Sequence, residues 1–433
     1  MRYTEMNDSG VKWNGEIPKH WKRSKIKYCA SFMPPCDMSS LDEESKVTFT
    51  PMECVKNGFF ENRESTLKSI KGSYTQYQDG DIVFAKVTPC FENGNISIMR
   101  NLYSGFGFGS SELFVLRPQN NNTSFLFYSL QSNSFIQAGK ASMTGTGGLK
   151  RVSSYTVVNY PIFLPPLAEQ EAIAAYLNEK CAAIDEIIAQ AKVTIEEYKA
   201  WKASVIFEAV TKGLDPNAEM KESGIPWIGK IPKKWKTTTL GAVSHGLRNG
   251  YVGPTRDIFI ENGIRYIQSL HIKDGAIDFE KHPYYVSEEW GKLHPKIKTN
   301  DLLIVQTGDI GQVGLAGREY DGCNCHAVII VTPIASIINP KYLTCYFRSH
   351  PGKELLLSFQ TGALLPHLNA GKIKAAPVLL PPIAEQEAIA AYLDKQCAAI
   401  DGIIAEKQAL IEDLEAYKKS LIYETVTGKR KVS

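Results

Sequence analysis

The plainest pattern in the chain is a seam of apolar positions spaced alternately four and three residues apart. Leu177, Cys181, Ile184, Ile188, Ala191, Ile195, Tyr198, Lys202 and Val205 lie on it, and Leu393, Cys397, Ile400, Ile404, Lys407, Ile411, Leu414, Lys418 and Leu421 lie on a second. A period of about 3.5 sustained over roughly four heptads predicts two coiled-coil helices. Pro165-Pro166 and Pro381-Pro382 end the preceding segments and set up the helix starts. Glu169 and Glu171 then fall in the first turn of the first helix, where the macrodipole favours them. Each helix should run about 45 residues, or about 65–70 Å. A helix that long finds little to pack on within one lobe, so the natural partner of each is the other, antiparallel. Lys202 and Lys418 occupy equivalent seam positions. They read either as polar core residues that fix register or as lysine stems reaching out to water.

Between the seams the pattern changes. Short β-type runs, among them Asp81–Ala85, Ser97–Met99, Leu113–Leu116, Ile264–Gln268, Leu302–Val305 and Ala327–Val331, alternate with Gly, Asn and Pro. Apolar helical stretches such as Phe125–Gln137 and Leu343–Phe347 are fewer. These blocks predict mixed α/β lobes with a curved sheet and long functional loops. The whole arrangement is written twice: LPPLAEQEAIAAYL at 164–177 returns as LPPIAEQEAIAAYL at 380–393, and SGVKWNGEIPKHW at 9–21 returns as SGIPWIGKIPKKW at 223–235. The blocks in between diverge, but they share landmarks. Gly80-Asp81-Ile82-Val83-Phe84 resembles Asn300-Asp301-Leu302-Leu303-Ile304, and Val55-Lys56-Asn57-Gly58 resembles Ile272-Lys273-Asp274-Gly275. The expected fold is therefore α+β, of mixed α/β lobes: two similar globular domains, residues 1–163 and 214–379, joined by long antiparallel coiled-coil helices, residues 164–213 and 380–433, as a pseudo-two-fold internal repeat.

Composition narrows the class. The 433 residues are 43% hydrophobic and 22% charged, which suits folded domains rather than a disordered chain. No apolar run approaches the length of a membrane span, and MRYTEMNDSGVKW has no apolar core of a signal peptide, so a cytoplasmic protein with no membrane contact is expected. The nine cysteines show no disulfide spacing and read as reduced and mostly buried. Cys323, Cys325 and His326 lie close together, but they read as a strand edge; no metal and no cofactor are expected of this chain. Net charge is only +3, yet its sign alternates: residues 1–163 and 214–379 are each +4 (18 basic against 14 acidic, and 19 against 15), while 164–213 and 380–433 are −3 and −2 (5 against 8, and 7 against 9).

The basic blocks carry the candidate chemistry. Lys86, Thr88 and Asn93 surround Pro89 and Gly94, and SMTGTGGLKRVSS at 142–154 brings Lys150, Arg151 and Ser153 into a flexible basic loop. The second block offers Arg248, Asn249, Gln268, His271, Gln306, Thr307, His367 and Asn369. Arg and Lys suit guanine edges, Asn and Gln suit adenine edges, and glycines let the backbone approach phosphates. Turn chemistry is the competing explanation for each loop amide. Catalytic signatures are missing. Gly224 to Gly229-Lys230 nearly makes a phosphate loop, but Ile231 follows where Ser or Thr is needed, and there is no HExxH, nucleophile elbow or nuclease carboxylate cluster. A non-catalytic scaffold that no longer reads DNA and a free-standing enzyme with an unrecognised site remain as alternatives.

Two divergent blocks, each followed by a repeated LPPLxEQxxIAxxL helix, resemble the specificity subunits of type I restriction–modification enzymes (HsdS). The flanks at 9–21 and 223–235, the junction Val210-Thr211-Lys212-Gly213-Leu214, FAKVTPCFENG at 84–94 and TGALLPHLNAGKIK at 361–374 extend the resemblance over essentially the whole chain. It implies a non-catalytic subunit whose lobes are target-recognition domains, each reading one half of a bipartite, asymmetric site in double-stranded DNA. The helices, through seams that include Leu177, Ile184, Ile188, Ile195, Leu393, Ile400, Ile404 and Ile411, would set the spacer and dock two methyltransferase (modification) subunits. Those would carry S-adenosylmethionine and methylate adenine, and restriction/translocase subunits would join them.

Overall fold

The computed structural model describes residues 3–70, 72–146, 148–362 and 364–432. They form two compact units: the residues up to Ala191 together with those from Gln408 onward, and Lys192–Lys407. The long helices Leu167–Lys212 and Ile383–Val426, of 46 and 44 residues, each pass from one unit to the other.

The first unit is built on two four-stranded sheets. One orders Ile96–Ile98, Ile82–Ala85, Leu113–Pro118 and Ala30–Phe32, all antiparallel. The other orders Arg63–Thr66, Lys46–Thr50, Phe106–Gly109 and Thr75–Gln78, with one parallel pair, Lys46–Thr50 beside Phe106–Gly109. A ribbon of Lys22–Lys25 and Pro161–Leu164 leads into the first long helix.

The second unit repeats this plan. Ser244–Asn249, Val328–Pro333, Leu302–Val305 and Val313–Leu315 form the antiparallel sheet. Ile264–Ile267 again runs parallel to its neighbour, Asn324–Cys325, and Lys236–Thr239 pairs with Pro377–Leu380. The shared landmarks have one physical basis. Gly80 and Asn300 take the left-handed conformation (φ +89° and +69°) and aim Asp81 and Asp301 into the protein, where both are fully buried. Asp81 accepts two hydrogen bonds from Arg117, at 2.8 and 2.9 Å. Asp301 accepts from the Thr332 hydroxyl at 2.7 Å, the Lys298 backbone at 2.8 Å and Arg248 at 3.2 Å. A buried carboxylate needs such partners, so the acid recurs although its cation comes from a different strand in each lobe.

Burial follows the helix seam. Leu177, Cys181, Ile184, Ile188, Ala191, Ile195, Leu393, Cys397, Ile400, Ile411 and Leu421 are buried, and Ile404 is partly so. Within the first unit Asp185 meets Lys418, while Glu169 and Ala168 share a cleft with Lys431, so the helix segments run antiparallel. Within the second, Lys202 meets Asp401 and Gly213 lies beside Glu385, again antiparallel. The Lys202 and Lys418 side chains are partly buried, and the ammonium group of each pairs with a half-exposed aspartate of the facing helix.

The repeated EQ dipeptide docks each helix start. Gln170 accepts from the Asn122 backbone at 3.0 Å and donates to the Pro165 carbonyl at 3.0 Å and the Asn121 side chain at 3.1 Å. Gln386 accepts from the Asn339 backbone at 2.7 Å and donates to the Pro381 and Ile337 carbonyls at 2.9 and 3.1 Å. Both amides are buried. Each joins a long helix to the N-cap of a lobe helix, Thr123–Leu130 or Pro340–Arg348.

Candidate nucleic-acid interface

All four residues of Ile82–Ala85 and of Leu302–Val305 are buried, so these central strands can present chemistry only beyond their ends. The next residues are Lys86 and Gln306. In the first unit Val152 donates its N–H to the Lys86 carbonyl at 2.8 Å, Thr88 donates its N–H to the Lys150 carbonyl, and the Thr88 hydroxyl accepts the Lys150 N–H, both at 3.0 Å. The Thr88 hydroxyl also donates to the Gly148 carbonyl at 2.8 Å. In the second unit Leu368 donates its N–H to the Gln306 carbonyl, and the Gln306 side chain donates to the Leu368 carbonyl, both at 3.0 Å. Arg151 bridges Thr144, as His367 pairs with Thr361. Ser153 and Asn369 stand at the N-caps of the short helices Ser154–Asn159 and Ala370–Ile373. The same two loops are thus fastened by equivalent backbone bonds in both lobes. Equivalent positions carry Lys86 and Gln306, Arg151 and His367, Ser153 and Asn369.

The side chains differ in how free they are. Glu112, at the mouth of the first lobe's loops, takes Arg151 through three contacts of 2.6–3.2 Å and lies 3.8 Å from Lys86. Those bonds from Arg151 hold the Glu112 carboxyl below its usual range against the opposing effect of burial, and Lys86 adds to them. Lys86 also donates to the Ser111 carbonyl at 2.7 Å. Asn93 and Lys150 are exposed.

In the second lobe Asn249 and Thr307 are exposed, while Arg248 is drawn to Asp301 and to the Lys296 carbonyl. Gln268 caps the turn Ser269–His271, and the buried His271 ring accepts the Gln268 N–H at 3.0 Å and donates to the His282 carbonyl at 2.7 Å. Burial pushes the His271 pKa down, and a ring that accepts at Nδ1 while donating at Nε2 is the neutral form. These loops adjoin. Tyr251 bonds the backbone of Cys325 and Ala327, Ala327 accepts from Gln306, and Gly308 faces Ser269. Arg248, Asn249, Gln268, Thr307, His367 and Asn369 therefore belong to one surface, with His271 and the Gln306 side chain, expected from the sequence to be a base reader, buried beneath it.

Cys323 and Cys325 are buried, and burial pushes their thiols up to about 11 and about 12. Among the described residues no group of three His, Cys, Asp or Glu side chains is placed to hold a metal ion, and no helix is long and apolar enough to cross a membrane. One feature of this surface escapes a motif search. No Asp or Glu occurs between Glu112 and Glu169, nor between Glu354 and Glu385, and the first of these stretches holds Arg117, Lys140, Lys150 and Arg151, the second Lys372 and Lys374. The absence of acids over a whole segment is the signal that would have found Lys372 and Lys374, which are exposed.

The type I restriction modification DNA specificity domain matches twice, at residues 18–197 and 232–413. The specificity subunit of the type I restriction enzyme EcoAI of Escherichia coli is 33% identical, over 88% of this chain and 78% of its own length. That of the MjaX enzyme of Methanocaldococcus jannaschii is 25% identical, over 96% and 95%. Among solved structures, a chain from work on complex assembly and conformational transition of the type I R-M system superposes with a TM-score of 0.73 at 17% identity, covering 95% of this chain and 98% of that one. The HsdS subunit of Thermoanaerobacter tengcongensis gives 0.53 at 18% identity, covering 96% and 98%. These two likenesses establish the fold; with the duplicated domain match and the EcoAI relative, the chain belongs to the family of type I restriction–modification DNA specificity subunits.

Proposed function

We propose that this specificity subunit reads a bipartite site in double-stranded DNA, with residues 1–163 recognising one half and residues 214–379 the other. The carrying observation is the duplicated loop pair: equivalent backbone bonds hold Lys86, Arg151 and Ser153 in one lobe where the other has Gln306, His367 and Asn369. A shared frame with different donors and acceptors suits two different short sequences. Exposed Lys150, Lys372 and Lys374 would take phosphates, which position the lobes without reading sequence. The remaining candidates, Thr88, Asn93, Arg248, Asn249, Gln268, His271 and Thr307, contribute to the same loops, His271 by holding the Gln268 turn.

The helical segments, residues 164–213 and 380–433, would set the spacing between half-sites and dock two methyltransferase subunits, to which restriction/translocase subunits would add. Buried seam residues hold the helices together, and Ile187, Val193, Trp201, Leu410 and Tyr417 are among the exposed apolar side chains left for partners. Methyl transfer would belong to the modification subunits, and this chain would work in the cytoplasm. The test is long-read mapping of methylated adenines in host DNA with and without the gene. Loss of one split motif on deletion supports the reading and reveals both halves; an unchanged map rejects it in favour of a relative that no longer reads DNA.

A further inference from the structure

The loop between Thr361 and His367 carries two adjacent exposed leucines, Leu364 at 95% and Leu365 at 83%. Single exposed leucines are ordinary. An adjacent, almost bare pair is not, because each keeps apolar surface in water and neither covers the lobe's core.

The base of the loop is rigid. Leu368 is fully buried and bonded in both directions to Gln306, and Gln360–Thr361 pairs with His367–Leu368. His367 lies 3.2 Å from the Leu365 carbonyl, and Gly362, at φ +94°, would drive a Cβ to 2.5 Å from that same oxygen. Only glycine fits there, so the backbone of Leu365 is held while its side chain projects. The equivalent place in the first lobe has the same close approach, Gly145 to the Leu149 carbonyl, but Leu149 is half as exposed (44%) and is followed by Lys150, where the second lobe has Pro366. The two lobes therefore differ in kind at this tip.

Charge decides what covers the leucines. They sit in the stretch from 355 to 384 that has no acid and that carries exposed Lys372 and Lys374. A polyanion complements such a surface. On DNA the apolar element that fits is a base step, which leucine side chains can enter and partly unstack.

We propose that Leu364 and Leu365 form an apolar wedge that enters a base step of the half-site read by the second lobe, whereas the first lobe makes its half-site contacts without one. Specificity would then depend in part on how readily that step unstacks, at positions no polar group touches. The proposal rests on the bipartite-site reading above.

The test uses the assembled methyltransferase complex and duplexes carrying the mapped site, with 2-aminopurine placed in turn at each position of the second lobe's half-site other than the methylated adenine. Wild type should raise the fluorescence at one step. Leu364→Ser with Leu365→Ser should abolish that rise, weaken specific binding about 10- to 100-fold, leave the salt slope unchanged because phosphate contacts remain, and regain affinity on a duplex with an abasic gap at that step. Leu364→Met with Leu365→Met should retain the wild-type signal, which separates wedging from misfolding. No fluorescent step in a wild-type complex that still prefers its site would overturn the wedge alone. So would a serine variant that binds like wild type, or one that fails to assemble while its partners stay intact, since the leucines would then face protein. A wild-type complex with no site preference would instead overturn the bipartite reading on which the wedge depends.

Discussion

Lys202 donates to both carboxylate oxygens of Asp401 at 2.9 Å, and Lys418 meets Asp185 in the same way at 2.6 and 2.7 Å. The partners exchange between the two copies of the repeat: the lysine of each helix takes the aspartate of the other. The surroundings are unequal. Lys202 also bonds Asp274 at 2.8 Å, and Arg348 approaches that aspartate at 3.5 Å. The matching residue in the first lobe's landmark is the neutral Asn57, and the cleft between Asn57, Arg100, Asp185 and Lys418 stays open at about 340 Å³.

Lys202→Met should therefore destabilise its unit more than Lys418→Met destabilises the other. The aspartates are about half exposed, so the lone pair is worth about 1 kcal/mol, and the network of Lys202 roughly twice that. Burial works against the Lys202 charge, but its bonds to Asp274 and Asp401 outweigh it and hold its pKa above the usual lysine value. A raised folded-state pKa means that this stabilisation is complete below about pH 10.4 and is lost as pH rises through the higher folded value. Urea titrations of both variants, with hydrogen exchange to localise the loss, check the order; equal losses would contradict it.

Replacing Gln386 by Leu should unlatch the second helix start. The variant leaves the Asn339 N–H and the Ile337 and Pro381 carbonyls without partners in a buried site. An orphaned buried group costs about 1–3 kcal/mol, so a total near 3 kcal/mol is expected. Gln386→Glu should be no better, because two carbonyls would face a carboxylate. Hydrogen exchange across residues 383–393 should rise in both variants, and unchanged protection there would refute the latch.

These elements differ in how legible they were. The helix seam could be read because period 3.5 is a local property, and Leu177 through Ile195 are buried as that period requires. Gln170 and Gln386 stood in a conspicuous repeat, yet their work is to satisfy backbone groups about 50 residues away, which spacing does not reveal. Lys86 and Arg151 were recognisable as loop cations, but Glu112, which ties up both, lies on the approach to another strand and is brought near only by the sheet. The common topology of the lobes was visible at two short landmarks, the turns at Asn57-Gly58 and Asp274-Gly275 and the acids Asp81 and Asp301, where backbone conformation or burial of a charge constrains sequence; elsewhere apolar residues exchange freely as long as the strands stay buried.

His271 predicts an acid-sensitive second unit. Its Nε2 donates to the His282 carbonyl and its Nδ1 accepts from the Gln268 N–H, so a second ring proton would break the latter bond. Burial lowers its pKa; the hydrogen bond to the His282 carbonyl and the charge of Asp278 oppose this, and the charge of His282 adds to it. Its contribution is complete above the ordinary histidine value of about 6.5 and declines as pH falls below that, toward the lower folded value. Burial shifts His326 the same way, so two histidines share the slope. Protection factors in the strand Ile264–Ile267, taken relative to the intrinsic exchange rate at each pH, should fall on acidification, and His271→Gln, which keeps a donor and an acceptor but does not titrate, should reduce that dependence. A variant with the wild-type slope would assign the effect to His326 alone.

Glu112 makes the sharpest case for recognition as opposed to charge. It holds Arg151 and lies beside Lys86, so two cations at the mouth of the first lobe are partly neutralised before DNA arrives. Such a pair can be broken only by a partner that offers better acceptors in the right places, such as a guanine edge with two acceptors for one guanidinium. In Glu112→Gln the neutral amide no longer restrains either cation. The assembled complex should then bind mixed-sequence DNA more tightly, with a salt dependence steeper by about one to two phosphate contacts, while discrimination against single changes in the first half-site falls by about tenfold per weakened contact. Discrimination in the other half-site should not move, because Gln306 and His367 have their own partners in Leu368 and Thr361. Competition binding against each singly substituted site measures all three quantities at once, and equal relaxation of both half-sites would mean that the lobes do not read independently.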